Sequence, residues 1–112
     1  MDEKPLVYLA CPYSHDDPVI REMRFKQANM AAGKLMERGY IVFSPLSHCH
    51  PISVQYRLPT DWEFWQKFCT TYVRLCNTMV VLMVPGWEES RGITEELKLA
   101  KELGIGVEFI ST

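Results

Sequence analysis

No apolar run in the chain exceeds Met79-Val-Val-Leu-Met-Val84, far short of the ~20 residues that cross a bilayer. The opening residues Met1-Asp-Glu-Lys-Pro5 lack a secretory signal pattern, so a soluble cytoplasmic protein away from membranes is expected. An excess of one charge is also missing. Twelve Lys+Arg stand against 14 Asp+Glu, a net charge of −2, which provides no cationic field for a polyanion and argues against duplex nucleic acid as a partner. The four cysteines, Cys11, Cys49, Cys69 and Cys76, show no close paired spacing and are read as reduced thiols. No G-x-G-x-x-G follows a strand-like run and no G-x-x-x-x-G-K-[ST] is present, which removes the usual dinucleotide and triphosphate loops. Repeats, low-complexity tracts and linkers are absent too.

What remains is the composition of a folded globule: 112 residues, 47% hydrophobic and 23% charged, long enough for one domain over 1–112. Leu6-Val-Tyr-Leu-Ala10 is a short apolar run ended by Pro12, the pattern of a buried strand. Asp17-Pro18 reads as an N-cap and a first-turn proline, and Phe25, Ala28, Ala32 and Leu35 recur at helical spacing until Gly39. Tyr40–Phe43 is a second strand. The stretch from Ser44 to Pro59, rich in Ser, His and Pro, is expected as a long loop of the kind that carries function. Thr60-Asp-Trp-Glu63 has the spacing of a capping box opening a helix to about Cys76. Met79–Val84 is a third strand, apolar throughout and therefore covered on both faces. Ser90 can cap a helix to Leu103, and Gly104 closes it before a fourth strand at Val107–Ile110. Strands alternating with helices predict an α/β fold: three α/β/α layers around a small parallel sheet of four or five strands. Helix faces left uncovered by so small a sheet suggest a homodimer or higher homo-oligomer.

In an open parallel sheet the ligand sits beyond the carboxyl ends of the strands, so the loops after the first and third strands matter most. The first carries Cys11, Pro12, Tyr13 and Ser14, and the second carries Trp87 and leads through Ser90 and Gly92 into a helix bearing Glu96. A phosphatase-type role for Cys11 needs an arginine six residues on, where Asp17 stands. Cys11, His15, His48, Cys49 and His50 lack the tight ligand spacing of a zinc site, so no metal is expected; His48 and His50 are read as pocket-wall or surface residues. Glu96 falls in the second turn of its helix, where the amino-terminal dipole favours an ionised carboxylate that could act as a nucleophile. The plainer reading places Glu95, Glu96, Lys98, Lys101 and Glu102 on a solvated face. Ser90 beside free N–H groups can receive an anion, and Arg24 on the first helix can hold a phosphate. Tyr8 belongs to the core with its hydroxyl seeking one partner, which in the active reading is Glu96. Trp62, Trp65 and Trp87 could wall in a flat base, Trp87 being the strongest candidate.

Tyr8-Leu-Ala-Cys-Pro-Tyr-Ser-His15, Val42-Phe-Ser-Pro-Leu-Ser-His48, Leu58-Pro-Thr-Asp-Trp-Glu-Phe-Trp65 and Pro85-Gly-Trp-Glu-Glu-Ser-Arg-Gly92 with Glu96 resemble the domain-of-unknown-function family numbered 1937 over nearly the whole chain. That family is similar in fold to nucleoside 2-deoxyribosyltransferases and 2′-deoxynucleoside 5′-phosphate N-hydrolases. The link to those enzymes rests on the first-strand tyrosine and on the Ser-x-Gly-x-x-x-Glu spacing of Ser90, Gly92 and Glu96. The resemblance implies that Glu96 attacks the anomeric carbon of a nucleoside or nucleoside 5′-monophosphate while the base leaves, with Tyr8 positioning the carboxylate and no cofactor. An acidic group that assists the base in those enzymes corresponds by register to Cys69, and a further Asp to Asn77; Asp61 is the available substitute. The alternative from another class is a non-catalytic nucleotide-binding or interaction module of the same fold.

Overall fold

Alternation along the two central strands builds two cores, one on each face of the sheet. In β1 (Leu6–Ala10), Val7 and Leu9 point to one face and Tyr8 and Ala10 to the other. In β3 (Thr78–Leu82), Val80 and Leu82 share the first face and Met79 and Val81 the second. All of these are buried, as strands covered on both sides must be. The computed structural model describes residues 5–111. Its remaining elements are α1 (Pro18–Glu37), β2 (Ile41–Phe43), α2 (Pro45–Tyr56), α3 (Trp62–Leu75), α4 (Arg91–Leu103) and β4 (Gly106–Ile110).

The four strands are parallel in the order β2-β1-β3-β4. Ala28, Ala31, Ala32 and Leu35 of α1, with Leu46 of α2, cover the Val7 face. Val73 of α3 and Ile93, Leu99 and Ala100 of α4 cover the Tyr8 face. The result is the expected three-layer α/β/α arrangement with a four-stranded sheet. The chain winds outward from β1 to β2 and then returns to β3 on the other side of β1, so the strand order reverses between β1 and β3. The loops that follow these two strands part there and leave a crevice at the carboxyl ends.

Local chemistry sets the helix ends. Asp17 caps α1 by accepting the Val19 N–H at 2.9 Å, and Pro18 takes the first position. Ser90 caps α4 by accepting the Ile93 N–H at 3.2 Å, and Gly104 at φ +70° ends it. The segment from Ser44 to Pro59 is not the long loop expected, because most of it is α2. Ser44 is the N-cap, Pro45 fills the first position, and Arg57 at φ +60° closes the helix. Its buried residues Leu46, Cys49, His50 and Ser53 do keep helical spacing, but the internal Pro51 and the polar members of that face hide it. The capping box is also corrected. Asp61, not Thr60, is the N-cap of α3, no side chain bonds the cap, and Glu63 pairs with Arg91 instead. β2 starts one residue later than expected, while β3 and β4 each start one earlier.

Candidate active site

Tyr8 and Glu96 meet in the core below the crevice. Tyr8 is fully buried at the centre of β1, and its hydroxyl donates to Oε2 of Glu96, itself only 4% exposed. Burial pushes the Glu96 carboxyl up to about 8, although the Tyr8 hydrogen bond pulls the other way. Burial thus works against the ionised form that the helix dipole was expected to favour. Nor does Glu96 lie on a solvated face. Burial first, then Glu96 and the Cys69 thiol, raise the Tyr8 phenol well above its ordinary value. Cys69 lies beside this pair, and its thiol is pushed up to about 12, chiefly by burial and next by Glu96.

The crevice itself is a cleft of about 590 Å³, the size of a small-molecule site. Tyr13, Ser14, Arg24, Asp61, Trp65, Cys69, Ser90 and Gly92 all border it, so most of the candidate binding residues are brought together. Cys69 connects the cleft to the enclosed Tyr8–Glu96 pair. Four candidates stand apart from the lining. Cys11 is buried, with its thiol directed at the carbonyls of Pro12 (3.6 Å) and Arg24 (3.8 Å), and Pro12 is buried with it. His48 is an exposed residue of α2 against Phe43. Trp87 turns inward onto the core and packs on Phe109 at 5.6 Å, so the aromatic walls of the cleft are Trp62 and Trp65.

Arg24 joins the two loops that frame the cleft. Its Nη1 donates to the carbonyl oxygens of Ser14 (3.1 Å) and Tyr13 (3.4 Å), and its Nη2 donates to that of Pro85 (3.2 Å). The guanidinium is buried, and among the described residues no carboxylate pairs with it. Burial lowers its pKa from the ordinary value, the direction expected of a desolvated cation. Gly86 makes this clamp possible. Its φ is +93°, and a Cβ there would stand 2.5 Å from Nη2 of Arg24.

At the opposite wall α4 points its first turn at the cleft. Ser90 satisfies the Ile93 N–H, whereas the N–H groups of Arg91 and Gly92 have no partner within the helix and are open to an anionic or carbonyl-bearing ligand. Gly92 allows close packing there, since a Cβ would meet Cε3 of Trp62 at 3.2 Å. Trp65 is anchored by its indole N–H, which donates to the Pro59 carbonyl at 2.8 Å. Ser14 spends its hydroxyl on the Thr60 carbonyl at 2.6 Å. Asp61 lies exposed at the rim with its carboxylate not engaged in capping.

One arrangement escaped sequence reasoning. The Tyr13 hydroxyl is 2.7 Å from Nδ1 of His50, and Nε2 of His50 is 2.9 Å from Oε1 of Glu22. His50 is buried, not a surface or wall residue. The signal available was the helical spacing of Leu46, Cys49, His50 and Ser53, which places His50 inward. Asn77, by contrast, has no part in the cleft. It sits at the amino end of β3, where its Oδ1 accepts the Leu6 N–H at 2.8 Å, at the opposite end of the sheet.

Comparison with protein families matches residues 5–112 to DUF1937, a domain of unknown function. Comparison with curated protein sequences gives no match. Among solved structures, a 2-deoxyribosyltransferase from the psychrotolerant bacterium Bacillus psychrosaccharolyticus is similar, with a TM-score of 0.59 and 21% identity, over 95% of this chain and 72% of that one. At that identity the likeness is one of fold.

Proposed function

The chain belongs to the DUF1937 family, and we propose that it breaks the N-glycosidic bond of a nucleoside or nucleoside 5′-monophosphate, passing the sugar to water or to another base. The observation that carries this reading is the buried Tyr8–Glu96 pair placed next to Cys69 at the base of a nucleotide-sized cleft. A carboxylate so placed, once ionised, can displace the base and form a glycosyl ester, which splits one hard displacement into two easier ones. Tyr8 holds Oε2 and leaves the other oxygen to react. Trp62 and Trp65 supply flat apolar walls for a base. Arg24 and the first turn of α4 at Ser90 and Gly92 supply a cation and N–H donors for a phosphate, with Ser14 at the same rim. Asp61 is a rim carboxylate within the same cleft. Exposed Val19, Met23 and Met30 on α1 support the assembly of two or more copies, which sizing by light scattering tests.

The test incubates the protein with nucleosides and their 5′-monophosphates and follows free base by chromatography, with Glu96→Gln in parallel. Base release that vanishes in the variant is the expected result. A second reading, a binding module without turnover, is favoured by the enclosure of Glu96, whose burial raises its carboxyl to about 8. Saturable binding of the same compounds, with every glycosidic bond intact, would establish it and overturn the first.

A further inference from the structure

A base that departs from an anomeric carbon takes the bonding electron pair onto a ring nitrogen, and a proton delivered to the base lowers that barrier. The Cys69 thiol, at the position where the resemblance implies an acid, is instead buried against the Tyr8–Glu96 pair. We propose that Tyr13, backed by His50 and Glu22, is the group that delivers this proton; the inference rests on the N-glycosidic reading above.

The geometry is that of a relay from solvent to cleft. Glu22 is half exposed on α1 and lies 2.9 Å from Nε2 of His50. His50 is 4% exposed, held on α2 between the Phe25 ring at 4.7 Å and the edge of the Tyr13 ring at 5.3 Å. Nδ1 of His50 is 2.7 Å from the Tyr13 hydroxyl, and Tyr13 borders the cleft. A histidine buried only for packing needs partners for its two nitrogens. Here one partner reaches bulk water and the other reaches the place where a ligand would sit, so the imidazole links the two. A carboxylate beyond the far nitrogen orients the ring, as in other carboxylate–imidazole pairs. Burial raises the Tyr13 phenol above its ordinary value; of the other groups that face it, Ser53 from α2 and Arg21 from α1 lower it, and Cys49 from α2 and Glu22 raise it.

The proton count closes over both half-reactions. In the first, Glu96 carboxylate bonds to the anomeric carbon as the carbon–nitrogen bond breaks. The electron pair passes to the base, which takes the Tyr13 proton while Tyr13 takes a proton from Nδ1 of His50 and Nε2 takes one from solvent past Glu22. A neutral ester and a neutral imidazole remain. In the second, water attacks the anomeric carbon, the ester bond returns its electrons to Glu96, and the water proton returns through Tyr13 and His50 to solvent past Glu22. The starting charges are restored, with sugar and neutral base as products. Tyr13 is the catalytic residue in this scheme, and His50 and Glu22 are positioning residues that act through it.

The experiment measures single-turnover base release from two pairs of deoxynucleoside 5′-monophosphates, guanine against 7-methylguanine and uracil against 5-fluorouracil. In each pair the second base leaves with less need of a proton. Tyr13→Phe is expected to slow the ordinary base by about 10²-fold or more relative to its activated partner. Glu22→Gln, at a half-exposed position, is expected to widen the same ratio in the same direction. His50→Gln serves as the stronger perturbation where circular dichroism shows it folded. Equal slowing of both members of a pair by Tyr13→Phe and Glu22→Gln would overturn the relay and leave the N-glycosidic reading standing. Loss of no activity in Glu96→Gln, or no release of any of the four bases by the unaltered chain, would instead overturn that reading and the relay with it.

Discussion

Replacing Glu96 with glutamine tests the central electrostatic claim without any substrate. Glutamine keeps the shape of the side chain and an oxygen to accept the Tyr8 hydroxyl, but it cannot titrate. In the unaltered chain the folded carboxyl holds its proton up to about 8, whereas the unfolded one releases it near the ordinary 4.5. Between those values the folded state binds more protons, so stability is fully present below 4.5 and falls as pH rises. The slope is about 1.4 kcal/mol per pH unit, and the whole window is worth at most about 5 kcal/mol. The glutamine variant lacks this slope, and other titrating groups cancel in the difference between the two proteins. Urea unfolding at pH 5, 6, 7 and 8 reads it directly. With a denaturant sensitivity of roughly 1–3 kcal/mol per molar, the midpoint of the unaltered chain should fall by roughly 0.5–1.4 M per pH unit relative to the variant. Parallel midpoints across this range would refute the reasoning and return Glu96 to the ionised state that its place near a helix amino terminus suggests.

Further expectations follow from the same geometry. Arg24→Met should weaken a nucleoside 5′-monophosphate by about 10- to 150-fold while affecting the parent nucleoside much less, as read by calorimetric titration; equal weakening of both would remove Arg24 from the phosphate. Gly86→Ala places a side chain at φ +93° and 2.5 Å from the Arg24 guanidinium, so the melting temperature should drop by roughly 5–15 °C, and an unchanged melt would contradict the clamp. Burial pushes the thiols of Cys49 and Cys76 to about 11 and those of Cys11 and Cys69 to about 12. A disulfide reagent at pH 8 should accordingly modify the native cysteines at least ~10²-fold more slowly than the unfolded ones, and rapid native labelling would argue against burial as the cause. With the 7-methylguanine substrate, which needs no proton, base release should rise tenfold per pH unit to about 8 and then level, tracking Glu96 ionisation.

The readable parts of this sequence were those where one residue type decides the backbone. Pro18 after Asp17, Gly104 after Leu103 and Ser90 before Ile93 fixed three helix ends, and the apolar runs at Leu6 and Met79 fixed the two central strands. From strand and helix alternation the layer order followed, and with it the end of the sheet where the cleft opens. α2 was not readable in that way. Its inward face is made of Leu, Cys, His and Ser, so hydrophobicity shows no period, and Pro51 in its middle reads as a break. Losing α2 also lost the His50 contact, since a histidine on a loop has no assigned direction, whereas one on the face shared with Leu46 and Ser53 must point inward.

Charge state was the other quantity that sequence could not supply. A carboxylate in the second turn of a helix gains about 0.3–1 kcal/mol from the dipole when exposed, an effect visible from position alone. Desolvation depends on what lies above the residue, here β1 and α3, and raises the carboxyl by several kcal/mol in the opposite sense. The same difference in range separates Cys69 from Asn77. The resemblance implies an acidic residue at both, yet Asn77 pairs with the Leu6 backbone at the far end of the sheet, whereas Cys69 stands between the cleft and Glu96. Of the two positions, only 69 borders the cleft. An ionised residue there would add a second negative charge against Glu96 and raise its carboxyl further. The thiol avoids that repulsion, and under the proposed N-glycosidic reading the proton for a departing base is assigned to Tyr13 instead.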